Sequence, residues 1–89
     1  LSPDERRSAA VLYRSLQEAR SRFDKGEQSA EGLRKAILEV LRREPSVQLE
    51  YAVIVHPETL EEVREAGQGT VIAIAAQIGR TRLIDNILL

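Results

Sequence analysis

Along the first half of the chain the apolar positions recur at a helical period, and in the second half that period shortens to two. Leu12, Leu16, Ala19 and Phe23 fall on one helical stripe, with Ala9 and Tyr13 beside them. Ser2, Pro3 and Glu5 supply an N-cap, a first helical residue with fixed φ, and the third member of a capping box. Arg20, Arg22 and Lys25 suit the last turn, and Gly26 can close it in a left-handed conformation. This predicts a helix over 3–25. Ser29 can cap a second helix, whose stripe is Leu33, Ala36, Ile37, Val40 and Leu41. Pro45 forbids its continuation. The short connection predicts an antiparallel helix pair.

From Val47 the pattern alternates. Val47, Leu49, Tyr51, Val53 and Val55 interleave with Gln48, Glu50, Ala52 and Ile54, which predicts a half-buried strand stopped by Pro57. Thr59 and Glu62 resemble a second capping box, predicting a short third helix with Leu60 and Val63 facing inward. Gly67-Gln68-Gly69 reads as a flexible turn. Val71 to Ile78 is apolar on both faces, as a central strand covered on both sides would be. Gly79-Arg80 makes a tight connection to a last strand containing Leu83-Ile84 and Ile87-Leu88-Leu89, interrupted by Asp85-Asn86. So short a connection makes the last two strands antiparallel. The order α-α-β-α-β-β predicts one α+β domain over residues 1–89, with a three-stranded sheet.

Composition narrows the possible chemistry. At this length roughly 60–65% of the extended surface is buried, enough for one modest core. Thirteen basic residues face fourteen acidic ones, and there are only three aromatic residues. Neither the charge surplus nor the stacking platform of a nucleic-acid binder is present. Helices followed by a hairpin can imitate a winged helix, but the neutral balance and the acids between Glu58 and Glu65 oppose that reading. Absence of cysteine removes disulfides and thiolate metal sites. No apolar run reaches the ~18 residues of a membrane span, so no membrane partner is expected and the cytoplasm is the default location. The chain does not begin with Met, which points to a piece of a longer or processed chain.

Candidate reactive groups are sparse. His56 is the one histidine, at a strand end, and Glu58 and Glu61 beside it make at most a weak cation site. It reads as a surface or turn residue. No serine sits in a nucleophile turn, and the acids lie at helix starts or on solvated faces. The most informative polar run is Gly79-Arg80-Thr81-Arg82-Leu83-Ile84-Asp85-Asn86. Asp85 and Asn86 are poor strand formers and need partners, with Arg80 and Arg82 at hand. They mark either a polar bulge that fixes the last strand or a contact with a ligand or neighbouring domain.

Three stretches carry a family resemblance. Leu1-Ser2-Pro3-Asp4-Glu5-Arg6-Arg7 resembles the segment after the Ser-Ser-Arg-Asn motif of the pantothenate synthetase (pantoate–β-alanine ligase) family. Leu49-Glu50-Tyr51, with Val55-His56-Pro57-Glu58-Thr59-Leu60, is similar to that family's Asp-Tyr strand and following Asp-x-x-Thr-Leu turn. Ile78 through Asn86 is close to its terminal Gly-x-Thr-Arg-Leu-Ile-Asp-Asn signature. Glu50 and His56 stand where aspartate is common in the family. The resemblance implies a carboxy-terminal lid domain of a ligase that joins pantoate to β-alanine through a pantoyl adenylate. ATP and magnesium are implied for the full enzyme and none for this part. The implied partner is an amino-terminal nucleotide-binding domain of the same polypeptide, within a homodimer. The family's paired histidines, pantoate-holding glutamines and Ser-Ser-Arg-Asn loop belong to that other domain, so no catalytic, cofactor or metal residue is assigned here. Tyr51, Arg80, Arg82, Asp85 and Asn86 are the structural or domain-contact candidates, and Leu1 and Ser2 adjoin the implied hinge. A non-enzymatic interaction or dimerisation module is the alternative.

Overall fold

The structure, a computed structural model, describes residues 2–89. Helix α1 spans Pro3–Asp24 and α2 spans Ala30–Leu41. Strands β1 (Val47–Val55), β2 (Val71–Ile78) and β3 (Thr81–Leu88) form an antiparallel sheet in the order β1-β2-β3. The α+β class is therefore as expected.

The local signals set the helix ends. Ser2 Oγ accepts from Glu5 N, and Glu5 returns the bond to Ser2 N, closing the capping box. Glu27 N reaches Arg22 O across Gly26, whose φ of 108° is open to glycine alone at no steric cost. Ser29 Oγ caps α2 by accepting from Gly32 N. All five residues of the α2 stripe are buried. Phe23, at the end of the α1 stripe, packs against the core from its margin, while Tyr13 points into solvent.

Both helices lie on one face of the sheet, α2 against β1 and α1 against β2 and β3. Leu12, Leu16, Ala19, Leu33 and Ile37 share the core with Ile54, Ile72, Ile74, Ala76 and Ile78. The opposite face carries no helix, which corrects the expectation that β2 is covered on both sides. Ala75 is buried there all the same, because its cross-strand neighbours Tyr51 and Ile84 flank it.

β1 departs from simple alternation. Its register shifts between Leu49 and Tyr51, so Glu50 is an extra residue. Val47 and Leu49 face the helices before the bulge, and Ala52 and Ile54 face them after it. Tyr51, Val53 and Val55 are thereby turned to the open face.

The third helix is absent. After Pro57 the chain makes a turn in which Leu60 N donates to His56 O, and Leu60 itself adopts φ of 61°. Left-handed backbone cannot continue a right-handed helix. Thr59 Oγ1 accepts from Glu61 N, two residues on, in place of a helix cap. The chain then returns along β1: His56 N bonds Glu61 O, and Val63 N bonds Ile54 O. Unpaired groups on the edge of β1 require partners, and an extended segment supplies them where a helix would not. Leu60 is consequently exposed, while Val63 packs against the core as anticipated.

β3 is also continuous. Its pairing with β2 runs without a shift through Asp85 and Asn86, so these residues neither bulge nor interrupt it. The face assignment has a direct test. Ile74→Ala, on the helix face, should cost about 3 kcal/mol in urea denaturation. Ile84→Ala, on the open face, should cost less than about 1 kcal/mol, because its side chain already meets water.

Candidate functional site

The pleat gathers three of the candidate residues on the open face. Register places Tyr51 and Ile84 on either side of Ala75, Asn86 beside Ala73, and Arg82 beside Gln77. Small alanines on the central strand thus form a trough between bulkier residues on β1 and β3. Ile84 and Leu88 are each 59% exposed and Tyr51 37%, although all three carry large apolar surfaces. Exposed apolar surface gathered on one face is a common mark of a contact region.

One polar link crosses this face. The bulge residue Glu50 accepts from Arg82 Nε at 2.6 Å, joining β1 to β3 over the central strand. Both side chains are about half exposed, so the pair orders the surface more than it stabilises the fold.

The remaining candidates lie elsewhere. Arg80 is exposed at the tip of the β2–β3 turn, beside Gly79 with φ of 60°. Asp85 faces the helix side, half-buried, and its Oδ1 accepts from Asn86 N at 2.8 Å. Ser2 caps α1, and Leu1 lies outside the described residues.

A contact that sequence reasoning did not anticipate fastens the amino-terminal end. Thr81 Oγ1 donates to Glu5 Oε2 at 2.9 Å, tying the first turn of α1 to the start of β3. Glu5 therefore serves Ser2 with one oxygen and Thr81 with the other. The Ser2 backbone N–H lowers its carboxyl below the ordinary value most strongly, followed by the Thr81 and Ser2 hydroxyls. The capping box revealed one half of this arrangement; the other half spans 76 positions and has no local signature.

His56 Nδ1 lies 3.1 Å from Glu58 N and 3.4 Å from Thr59 N, so it is a turn residue. No group of three or more His, Cys, Asp or Glu side chains converges as a metal site among the described residues. A surface groove is lined by Leu38, Leu41, Pro45, Val47 and Leu49, with Arg42 and Glu44 among them.

Known proteins place this architecture. The family model described as Pantoate-beta-alanine ligase matches residues 1–88. A pantothenate synthetase from Dehalococcoides mccartyi is 46% identical over all of this chain and 33% of its own length. One from Koribacter versatilis is 45% identical over all of this chain and 31% of its own length. A crystal structure of pantothenate synthetase from Thermus thermophilus superposes with a TM-score of 0.91 at 36% identity, over 99% of this chain and 32% of that one. The chain belongs to the pantoate–β-alanine ligase family, and it spans about a third of the length of the curated relatives it matches.

The Glu5 arrangement predicts a pH effect of definite sign. A carboxylate held below its usual range stabilises the fold above its unfolded value and loses that contribution as pH falls through its folded value. Glu5→Gln should therefore flatten part of the acid limb of thermal stability below about pH 4.5, read by circular dichroism melts. An acid limb as steep as that of the parent would show that Glu5 does not contribute.

Proposed function

We propose, from membership of this family, that the chain is the lid domain of a ligase making pantothenate. In the reaction of the full protein the pantoate carboxylate attacks the α-phosphorus of ATP and pyrophosphate leaves. The amine of β-alanine then attacks the acyl carbon of the pantoyl adenylate, AMP leaves, and the nitrogen loses a proton. An acyl adenylate is destroyed by water, so a site that makes one benefits from a cover. A rigid domain on a hinge can close for the reaction and open for release.

The single observation carrying this reading is the match of the whole chain to one third of proteins named pantothenate synthetase. The packed helix pair supplies rigidity, and the link between Glu5 and Thr81 stiffens the end nearest the proposed hinge. In this reading bond-making groups, ATP and magnesium belong to the rest of the protein, which in this family carries the paired histidines and the Ser-Ser-Arg-Asn loop. That remainder is the proposed partner, within a cytoplasmic homodimer, and no nucleic acid is involved.

The open apolar face supports a second reading, a module that associates with itself or with another protein. The two readings separate experimentally. A chimera carrying these 89 residues in place of the matching third of the Dehalococcoides relative should form AMP from pantoate, β-alanine and ATP. The isolated chain should give only background. Turnover by the isolated chain, or a folded but inert chimera, would overturn the lid assignment. Light scattering that shows concentration-dependent dimers of the isolated chain would favour the second reading.

A further inference from the structure

The stretch from Pro57 to Ala66 belongs to no regular element, yet it is bonded along its length. Val63 N reaches Ile54 O, Ala66 N reaches Gln28 O, and Ala30 N reaches Arg64 O. Arg34 clamps it from α2, donating to Ala52 O through Nε and to Glu62 through Nη2. Residues 61–63 of this segment pair with the carboxy-terminal end of β1, on an outer edge otherwise open to pairing with another strand.

The turn that starts it depends on one titratable ring. Glu58 N and Thr59 N both donate towards His56 Nδ1. A nitrogen that accepts must carry its lone pair, so the imidazole in this arrangement is neutral with its proton on Nε2. A protonated Nδ1 would point a hydrogen at two other hydrogens. We propose that His56 is a proton-operated latch: the neutral ring closes the 56–61 turn and seats residues 61–63 on the end of β1, and protonation releases them.

The same turn holds Leu60 in left-handed backbone, a conformation that stores strain in a branched residue. Two backbone bonds of His56, from its N to Glu61 O and from Leu60 N to its O, depend on that geometry. Loss of the ring acceptor therefore removes more than two weak bonds. The charged groups near the turn in sequence are Glu58, Glu61, Glu62, Arg64 and Glu65, and Arg34 reaches Glu62 from α2. The adjoining residues of β1, Ile54 and Val55, bear no charge. The turn closes on the neutral ring and opens on the imidazolium.

Nitrogen-15 NMR of the 89-residue chain tests this between about pH 8 and about pH 5, the interval in which imidazoles titrate. At the upper limit His56 should be the Nε2–H tautomer. Amide protection at Glu58, Thr59 and Val63, corrected for intrinsic exchange, should fall roughly tenfold in step with the ring's own titration. Ile74 serves as the core reference and should not follow it. His56→Asp keeps an acceptor that does not titrate in this interval, so its turn should stay protected throughout. His56→Ala should leave the turn open at both limits. An Nδ1–H tautomer, protection that ignores the ring's titration, or a His56→Asp chain as pH-dependent as the parent would each overturn the proposal.

Discussion

The fold depends on hiding one face of a three-stranded sheet beneath two helices. Three strands alone have little independent stability in water. Each Leu or Ile that passes from water to the core contributes roughly 1.5–3 kcal/mol. Ile72, Ile74 and Ile78 on the central strand meet Leu12, Leu16, Leu33 and Ile37 there. With so short a chain this single interface is the whole core, and every strand must present its best apolar face to it. β1 has apolar residues of both parities, so alternation does not choose between them. The bulge at Glu50 resolves the conflict: it keeps Val47 and Leu49 inside, then brings Ala52 and Ile54 inside and sends Tyr51 out. Tyr51 is the largest of these side chains and the one with a hydroxyl to keep hydrated.

Once one face is fixed, the sheet edges become the remaining hazard, and the polar residues answer it. On the β1 side, residues 61–63 and Arg34 bond Ala52 O, Ile54 O and His56 N at the carboxy-terminal end of the edge. On the β3 side, Leu89 bonds inward to Thr70 and Gly69, so the carbonyl of Leu88 points away from β2. The Arg20 guanidinium donates to it. Asn86 has the same parity, and its N–H is taken by Asp85. Asp85-Asn86 therefore makes sense on an outer strand, where a residue that satisfies its neighbour's backbone discourages pairing with another chain.

This division explains what could be read from the chain without coordinates. Helix ends were legible because Ser2, Pro3, Glu5, Gly26 and Ser29 act on backbone within a few positions of themselves. Strand ends were legible because Pro57 and Gly79 punctuate them. The bulge was not, since Val47 to Val55 reads as apolar in both phases. The third helix was expected from Thr59 and Glu62, but its span held too few apolar residues to outweigh the edge of β1. Of the contact candidates, Tyr51, Arg82 and Asn86 converge on one face, whereas Arg80 and Asp85 do not. The tie between Glu5 and Thr81 was beyond reach because nothing local links residues so far apart.

The terminal run that carried the family resemblance has a structural role at nearly every position. Gly79 makes the turn, Thr81 holds Glu5, Arg82 holds Glu50, and Asp85 covers the amide of Asn86. A motif of this kind identifies a family through its architecture and says little about bond-making. That fits a part whose proposed contribution is mechanical. A cover moved from one end must transmit that motion without bending, and the amino-terminal end here is tied to the sheet as well as to its own helix. The Glu5 carboxylate, shared between cap and hairpin, ties the first turn of α1 to the start of β3.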